Sequence, residues 1–405
     1  MKIAFITPEF VTESSYSGGL ANYLGRVTVA LAQLGHDVHV FTRSTQDGQL
    51  NFHGVTVHQV VPLWDRRMII DHIDPLVPNV YYNPYQDLKA AWCLWRRWLK
   101  VQQSLQFDIV QAANVMAVGL FFRWERKTPV VTRMSSYRPF WDSAAGIPIT
   151  AGVKLRWWME RIAVTGTRHL YAPTHFVAGQ VQKGYGISHV EVIETPFFLE
   201  QPDSDSSLFE QHLQGKPYLL YFGRMTQMKG VHILVAALSQ VLRQFGEMQV
   251  CFIGGNGPAP DSRPMADYIR DELREFGDRI KILESMRHDK LYPFIQNARV
   301  VVLPSLIDNL PNTCLEAMGL GKVVVATTGS CFEQVIENGI SGILVAPGDT
   351  AALADGICRA WTLPEQDYKE MQNQALLSIA KLHPTQSIPR LVEYYQSVIA
   401  DASRK

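Results

Sequence analysis

Short apolar runs rich in Val, Ile, Phe and Tyr alternate along this chain with stretches of helical period, and the alternation restarts midway. Strands without polar alternation are buried on both faces, the habit of parallel sheets covered by their crossover helices. In the first half, residues 3–7 read as a strand and Gly18-Gly19 as a loop. Leu20, Leu24, Val27, Leu31 and Leu34 then form one helix face, Gly35 ends that helix, and residues 38–42 give the next strand. Further strands are expected at 108–111, 130–133, 170–172 and 190–193. Residues 60–86 fit no clean period and read as an elaborated loop. After the polar, turn-rich residues 200–207 the pattern resumes with a strand at 218–222 and a helix on Val231, Leu234, Val235, Leu238 and Leu242. More strands follow at 249–253, 280–283, 300–303, 323–326 and 342–345. A chain of 405 residues exceeds one comfortable core, so the reading is α/β with two Rossmann-like, doubly wound domains, 1–198 and 199–385.

Composition narrows the class. With 47% hydrophobic and 19% charged residues and a formal net charge of +0, the chain folds and does not coat nucleic acid. Its first half is mildly basic and its second mildly acidic, which reads as solvated surface. The five cysteines are scattered, with no CxxC pair, so neither a disulfide frame nor a zinc ribbon is indicated. The sequence from Met1 runs straight into a strand with no secretory leader, and no stretch reaches the roughly 18 apolar residues of a membrane span. A cytoplasmic protein is expected, at most peripheral at the inner face of the membrane.

The strongest chemical signal lies where the strand at 218–222 turns into a helix through Gly223-Arg224-Met-Thr-Gln-Met-Lys229-Gly230. A helix N-terminus at the carboxyl edge of a parallel sheet offers free N–H groups, and two cations there suit a diphosphate; alone, the run is equally a basic surface loop. A second corner, Pro304-Ser-Leu-Ile-Asp308-Asn309-Leu310-Pro311 followed by Glu316, sets two carboxylates about a strand-to-helix turn, where they suit vicinal hydroxyls or simply a turn and a helix start.

In this order, with Gly18-Gly19, Gly254-Gly255-Asn-Gly257-Pro258, Thr327-Thr-Gly329-Ser330 with Glu333, and Asn338-Gly339 through Val345, these motifs resemble the retaining glycosyltransferases of family 4, also called group 1, over nearly the whole chain. The resemblance implies a GT-B fold, two Rossmann-like domains facing across a cleft, with a C-terminal helix at 386–405 packing back on the first. It implies transfer of a sugar from a nucleotide-diphosphate sugar of UDP or GDP type to a glycan, lipid-linked or small-molecule acceptor, with retention and without metal or further cofactor. Arg224, Lys229 and Asp308 are the implied catalytic residues. Gly18, Gly19, Gly223, Gly255, Asn309, Leu310 and Glu316 are the implied donor-binding ones. This chain departs from the family at two places: Asp308 stands where a Glu is usual, and Met134 where a His is usual, beside Arg133, Ser135 and Ser136. A nucleotide-sugar-binding protein with little transferase activity is the alternative reading, and an epimerase or phosphorylase of related fold a third.

Three features have plainer readings. Asp203-Ser204-Asp205 imitates an Asp-x-Asp metal motif but sits in the expected linker. His36 and His39 read as turn and sheet residues. The run 88–100, with Trp92, Trp95 and Trp98 beside Arg96, Arg97 and Lys100, reads as a core-facing helix rather than a membrane-surface one.

Overall fold

The structure, a computed structural model, describes residues 1–13, 19–63, 76–199, 203–213 and 215–404. Gly18, part of the segment read as a loop at 60–86, and residues 200–202 of the linker lie outside them. The chain forms two compact units, Met1–Pro196 with Pro384–Lys405, and Phe197–His383. The division therefore falls between Pro196 and Phe197, against 198 and 199 in the sequence reading.

The first unit contains strands β1 (Lys2–Thr7), β2 (Asp37–Arg43), β3 (Gly48–Phe52), β4 (Val55–Val60), β5 (Ile109–Ala113), β6 (Val130–Arg133), β7 (His169–Ala172) and β8 (Glu191–Val192). Its helices are α1 (Gly19–Gln33), α2 (Asn79–Leu105), α3 (Arg138–Ala144), α4 (Ala151–Thr165) and α5 (His175–Tyr185). The strands run in the order β3-β4-β2-β1-β5-β6-β7-β8, all parallel except the β3–β4 hairpin. β1 is buried from Ile3 onward because it lies in the middle, flanked by β2 and β5. The strand order reverses there, between β1 and β5, so the carboxyl edge beside it is where a doubly wound sheet takes ligands.

Two corrections concern this unit. The hairpin β3–β4 was not foreseen, and α2 begins at Asn79, inside the segment read as loop; Pro84 within it disguises the period but does not end the helix. On α2, Trp98 is fully buried against Phe122, and Trp92 and Trp95 pack on Phe121. Arg97 pairs with Asp47 at 3.0 Å. Trp98 is core, and Trp92 and Trp95, half-buried, pack against that core, as the plainer reading has it.

The second unit carries α6 (Ser207–Leu213), β9 (Tyr218–Phe222), α7 (Val231–Gln244), β10 (Gln249–Ile253), α8 (Met265–Glu272), β11 (Ile280–Leu283), α9 (His288–Asn297), β12 (Val300–Leu303), α10 (Asn312–Gly319), β13 (Val323–Thr327), β14 (Ile343–Val345), α11 (Thr350–Trp361) and α12 (Glu365–Ala380). Its sheet is parallel throughout, in the order β11-β10-β9-β12-β13-β14, and reverses between β9 and β12. Leu219, Tyr221, Phe252, Val300 and Val302 from the strands join Leu234, Val235 and Leu238 of α7 in one core. Asp205 serves α6, its carboxylate accepting from the Ser207 N–H at 3.1 Å and hydroxyl at 2.6 Å. Among the described residues no group of His, Cys, Asp and Glu is arranged to hold a metal, and no helix is long and apolar enough to cross a membrane. The chain then returns as α13 (Pro384–Ser403), whose Ile388, Leu391, Tyr395 and Val398 complete the core formed by β1, β2 and α1 of the first unit.

Candidate functional site

In the second unit the reversal of strand order brings together the loops that leave β9 and β12, and these are the two loops the sequence singles out. Their junction is tight. Gly230 caps α7 with φ +67°, and a side chain there would place its Cβ 1.8 Å from the Pro304 carbonyl oxygen. Only glycine admits both the torsion and the approach. One step further along, the Leu306 N–H donates to the Met228 carbonyl at 2.9 Å. Beyond β10, Gly254 has φ +150° and would clash through a Cβ with the Gly223 carbonyl at 1.8 Å. Gly255, which is exposed, accepts the Met225 N–H at 2.8 Å through its carbonyl.

The side chains follow. Lys229 Nζ lies 2.5 Å from Asp308 Oδ2. The same carboxylate accepts from the Ser305 hydroxyl at 3.0 Å and the Asn309 N–H at 2.9 Å, so Asp308 is fixed by three donors. Its side chain is 8% exposed while that of Lys229 is 32% exposed, so the ammonium keeps an accessible side. Arg224 is exposed at the head of the loop, in no ion pair among the described residues, and its carbonyl accepts the Tyr221 hydroxyl at 2.7 Å. Burial, reinforced by the Asp308 charge, drives the Tyr221 phenol and the Cys314 thiol far above their usual ranges, keeping both neutral. Leu310 turns the chain with φ +47° before α10. Glu316, buried on α10, sets Oε1 3.5 Å from His288 Nε2 at the start of α9.

Lys229, Asp308, Asn309, Leu310, Gly223 and Gly255 thus lie in loops bound to one another. Sequence reading missed Ser305 as a partner of Asp308, although it lies inside the same motif. It also missed His288, for which no spacing gave a signal.

In the first unit, Gly19 opens α1 and is exposed. Met134 is fully buried and its N–H donates to the Tyr171 carbonyl at 2.8 Å. Arg133, the last residue of β6, lies 3.6 Å from the ring centre of Tyr23. Elsewhere in the unit, Glu160 is enclosed with Arg138 at 3.1 Å, and burial lifts its carboxyl to about 7 against the pull of that arginine.

Comparison with known proteins adds the following. Residues 216–362 match the family model described as glycosyl transferases group 1, and residues 17–201 match Glycosyltransferase Family 4. Alpha-D-kanosaminyltransferase of Streptomyces kanamyceticus is 30% identical over 187 residues, 46% of this chain and 47% of that one. D-inositol 3-phosphate glycosyltransferase of Nocardia farcinica is 23% identical over 367 residues, 84% of this chain and 76% of that one. Among solved structures, sucrose-phosphate synthase of Thermosynechococcus elongatus has TM-score 0.74 at 18% identity, covering 99% of each chain. Anabaena HepE in complex with UDP and glucose has TM-score 0.69 at 18% identity, covering 98% of this chain and 100% of that one.

Proposed function

The chain is a glycosyltransferase of family 4 with the GT-B fold, and we propose that it moves a glycosyl unit from a nucleotide-diphosphate sugar, of UDP or GDP type, to a glycan, lipid-linked or small-molecule acceptor with retention of anomeric configuration. The observation that carries the donor reading is the Lys229 ammonium, anchored by Asp308 at the carboxyl edge of the second sheet and still accessible. HepE bound to UDP and glucose supports the donor class.

In this scheme the diphosphate lies against Lys229 and Arg224. As the bond from the anomeric carbon to the phosphate oxygen breaks, negative charge grows on the departing diphosphate, and the two cations stabilise it where a metal ion serves elsewhere. Glu316 offers its carboxylate to the ribose hydroxyls. Asp308, already occupied by three donors, sets the position of Lys229. No cofactor enters besides the donor. A cytoplasmic location accords with five cysteines, none of which is in a disulfide.

Lys229→Ala is expected to cut turnover about 100- to 1000-fold while the far-UV spectrum stays that of the parent; near-normal activity would remove the diphosphate assignment. Met134, enclosed and apolar, offers no polar group to the reaction, and this favours the second reading, a donor-binding protein. Nucleoside-diphosphate binding without turnover of any UDP- or GDP-sugar would decide for it.

A further inference from the structure

The first unit encloses a positive charge that no carboxylate among its described residues neutralises. Arg133 ends β6 at the carboxyl edge of the sheet and is only 5% exposed. Its terminal nitrogens donate to Ser135 Oγ at 2.8 Å and Thr195 Oγ1 at 3.2 Å. Its Nε is buried with no acceptor. One face of the guanidinium rests on Tyr23. No ion pair joins it to a carboxylate among the described residues.

Other arginines of the same unit are treated differently. Arg138 meets Glu160 at 3.1 Å and Asp142 at 3.3 Å, and Arg156 meets Asp87 at 2.5 Å. Arg133 by contrast meets neutral groups among the described residues: Ser135, Thr195 and Tyr23. The Tyr23 and Tyr171 hydroxyls share a hydrogen bond of 2.7 Å, and Gln111 Oε1 accepts from both Tyr171 and Tyr395. Burial holds the Tyr171 and Tyr395 phenols well above the usual tyrosine range, so neither supplies a phenolate. An enclosed charge without a counter-ion costs several kcal/mol, which two hydroxyls and an aromatic face offset only in part.

We propose that Arg133 is the receptor for a phosphate group carried by the acceptor. The proposal rests on the transferase reading and gives the acceptor a chemical class. Thr195 is half-buried, and because its oxygen accepts from the guanidinium its own proton is directed away, toward an incoming oxyanion. Ser135 and Thr195 each take one N–H of a terminal nitrogen, which leaves the Nε–H and one N–H on each terminal nitrogen for an incoming oxyanion. A tetrahedral phosphate presents oxygens in several directions and suits Nε and the Thr195 hydroxyl together.

The test is titration of the full-length protein with inorganic phosphate and, separately, with UDP and GDP, followed by thermal shift. Phosphate also suits the donor site, so Lys229→Ala is the background. In it phosphate should still stabilise the protein, and adding Arg133→Gln should weaken phosphate at least about tenfold. Arg133→Gln alone should leave nucleoside-diphosphate affinity within about twofold. Thr195→Val, which keeps the guanidinium enclosed, is the second variant should Arg133→Gln not fold; a loss of about threefold or more is expected. Phosphate binding that vanishes with Lys229→Ala, or that survives both Arg133→Gln and Thr195→Val unchanged, overturns the proposal. Failure of the donor reading looks different: no nucleoside diphosphate binds, while the Arg133-dependent phosphate response remains.

Discussion

At Gly230 one missing side chain joins the two loops of the donor site. The residue has φ +67° and lies against the Pro304 carbonyl, so alanine meets an unfavourable torsion and a backbone clash that no rotamer relieves. Gly230→Ala should therefore lower stability by more than about 2 kcal/mol and weaken donor binding through displacement of Lys229, its neighbour in sequence. A urea midpoint and a nucleotide titration equal to those of the parent would refute this. Lys229 and Asp308 differ from Gly230 in legibility. Charged residues at a strand-to-helix corner announce themselves in the sequence, and so did the resemblance that assigns them. Their mutual contact did not, because 79 positions separate them and only the reversal of strand order brings the two loops together. Arg133 was visible as a polar residue beside Met134, yet its want of a carboxylate is a property of the packed unit alone.

Elements were legible in proportion to their burial. β9, β10 and β12, buried over all or nearly all of their length, have the bounds read from the sequence, since a strand covered on both faces is a largely apolar run. The β3–β4 hairpin escaped because its outer strand alternates weakly and its turn, His53-Gly54, with φ +50° and +89°, lacks the Asn-Gly or Asp-Gly signature of such turns. A titratable pair joins β4 of that hairpin to β2. His58 of β4 stacks on Phe41 of β2, and its Nε2 lies 2.9 Å from His39 Nδ1, while His39 Nε2 lies 3.1 Å from Asp37. A proton on His39 Nε2, donated to Asp37, leaves Nδ1 to accept from His58. Burial, with His39 and Arg97 adding to it, lowers His58 from 6.5 to about 4, and burial lowers His39 as well. The unfolded chain thus binds more protons than the folded one between about pH 4 and 6.5, so stability is complete above that window and falls as pH descends through it, by up to roughly 3 kcal/mol for His58. Urea midpoints at pH 7.5 and 5 should differ accordingly, and His58→Gln should flatten the difference; parallel profiles for parent and variant would dismiss the pair as the cause.

At the scale of the whole molecule the first unit is built from both ends of the chain. Ile388, Leu391, Tyr395 and Val398 of α13 are each no more than 2% exposed within the core of β1, β2 and α1, and Tyr395 also donates to Gln111 of β5. At about 1.5–3 kcal/mol for each fully buried large side chain, this helix contributes on the order of 5–10 kcal/mol, the magnitude of an entire domain's stability. The last helix is therefore a structural necessity of the first unit, and the chain cannot finish folding that unit until its C-terminal residues exist. A chain ending at His383 should lose hydrogen-exchange protection across β1, β2, β5 and β6 while β9, β10, β12 and β13, whose core draws nothing from α13, keep theirs. Its response to nucleoside diphosphate should persist, because Arg224, Lys229 and Glu316 all belong to the second unit. Its Arg133-dependent response to phosphate should vanish with the core that encloses that arginine. Protection lost equally in both sheets, or in neither, would contradict this assignment of α13.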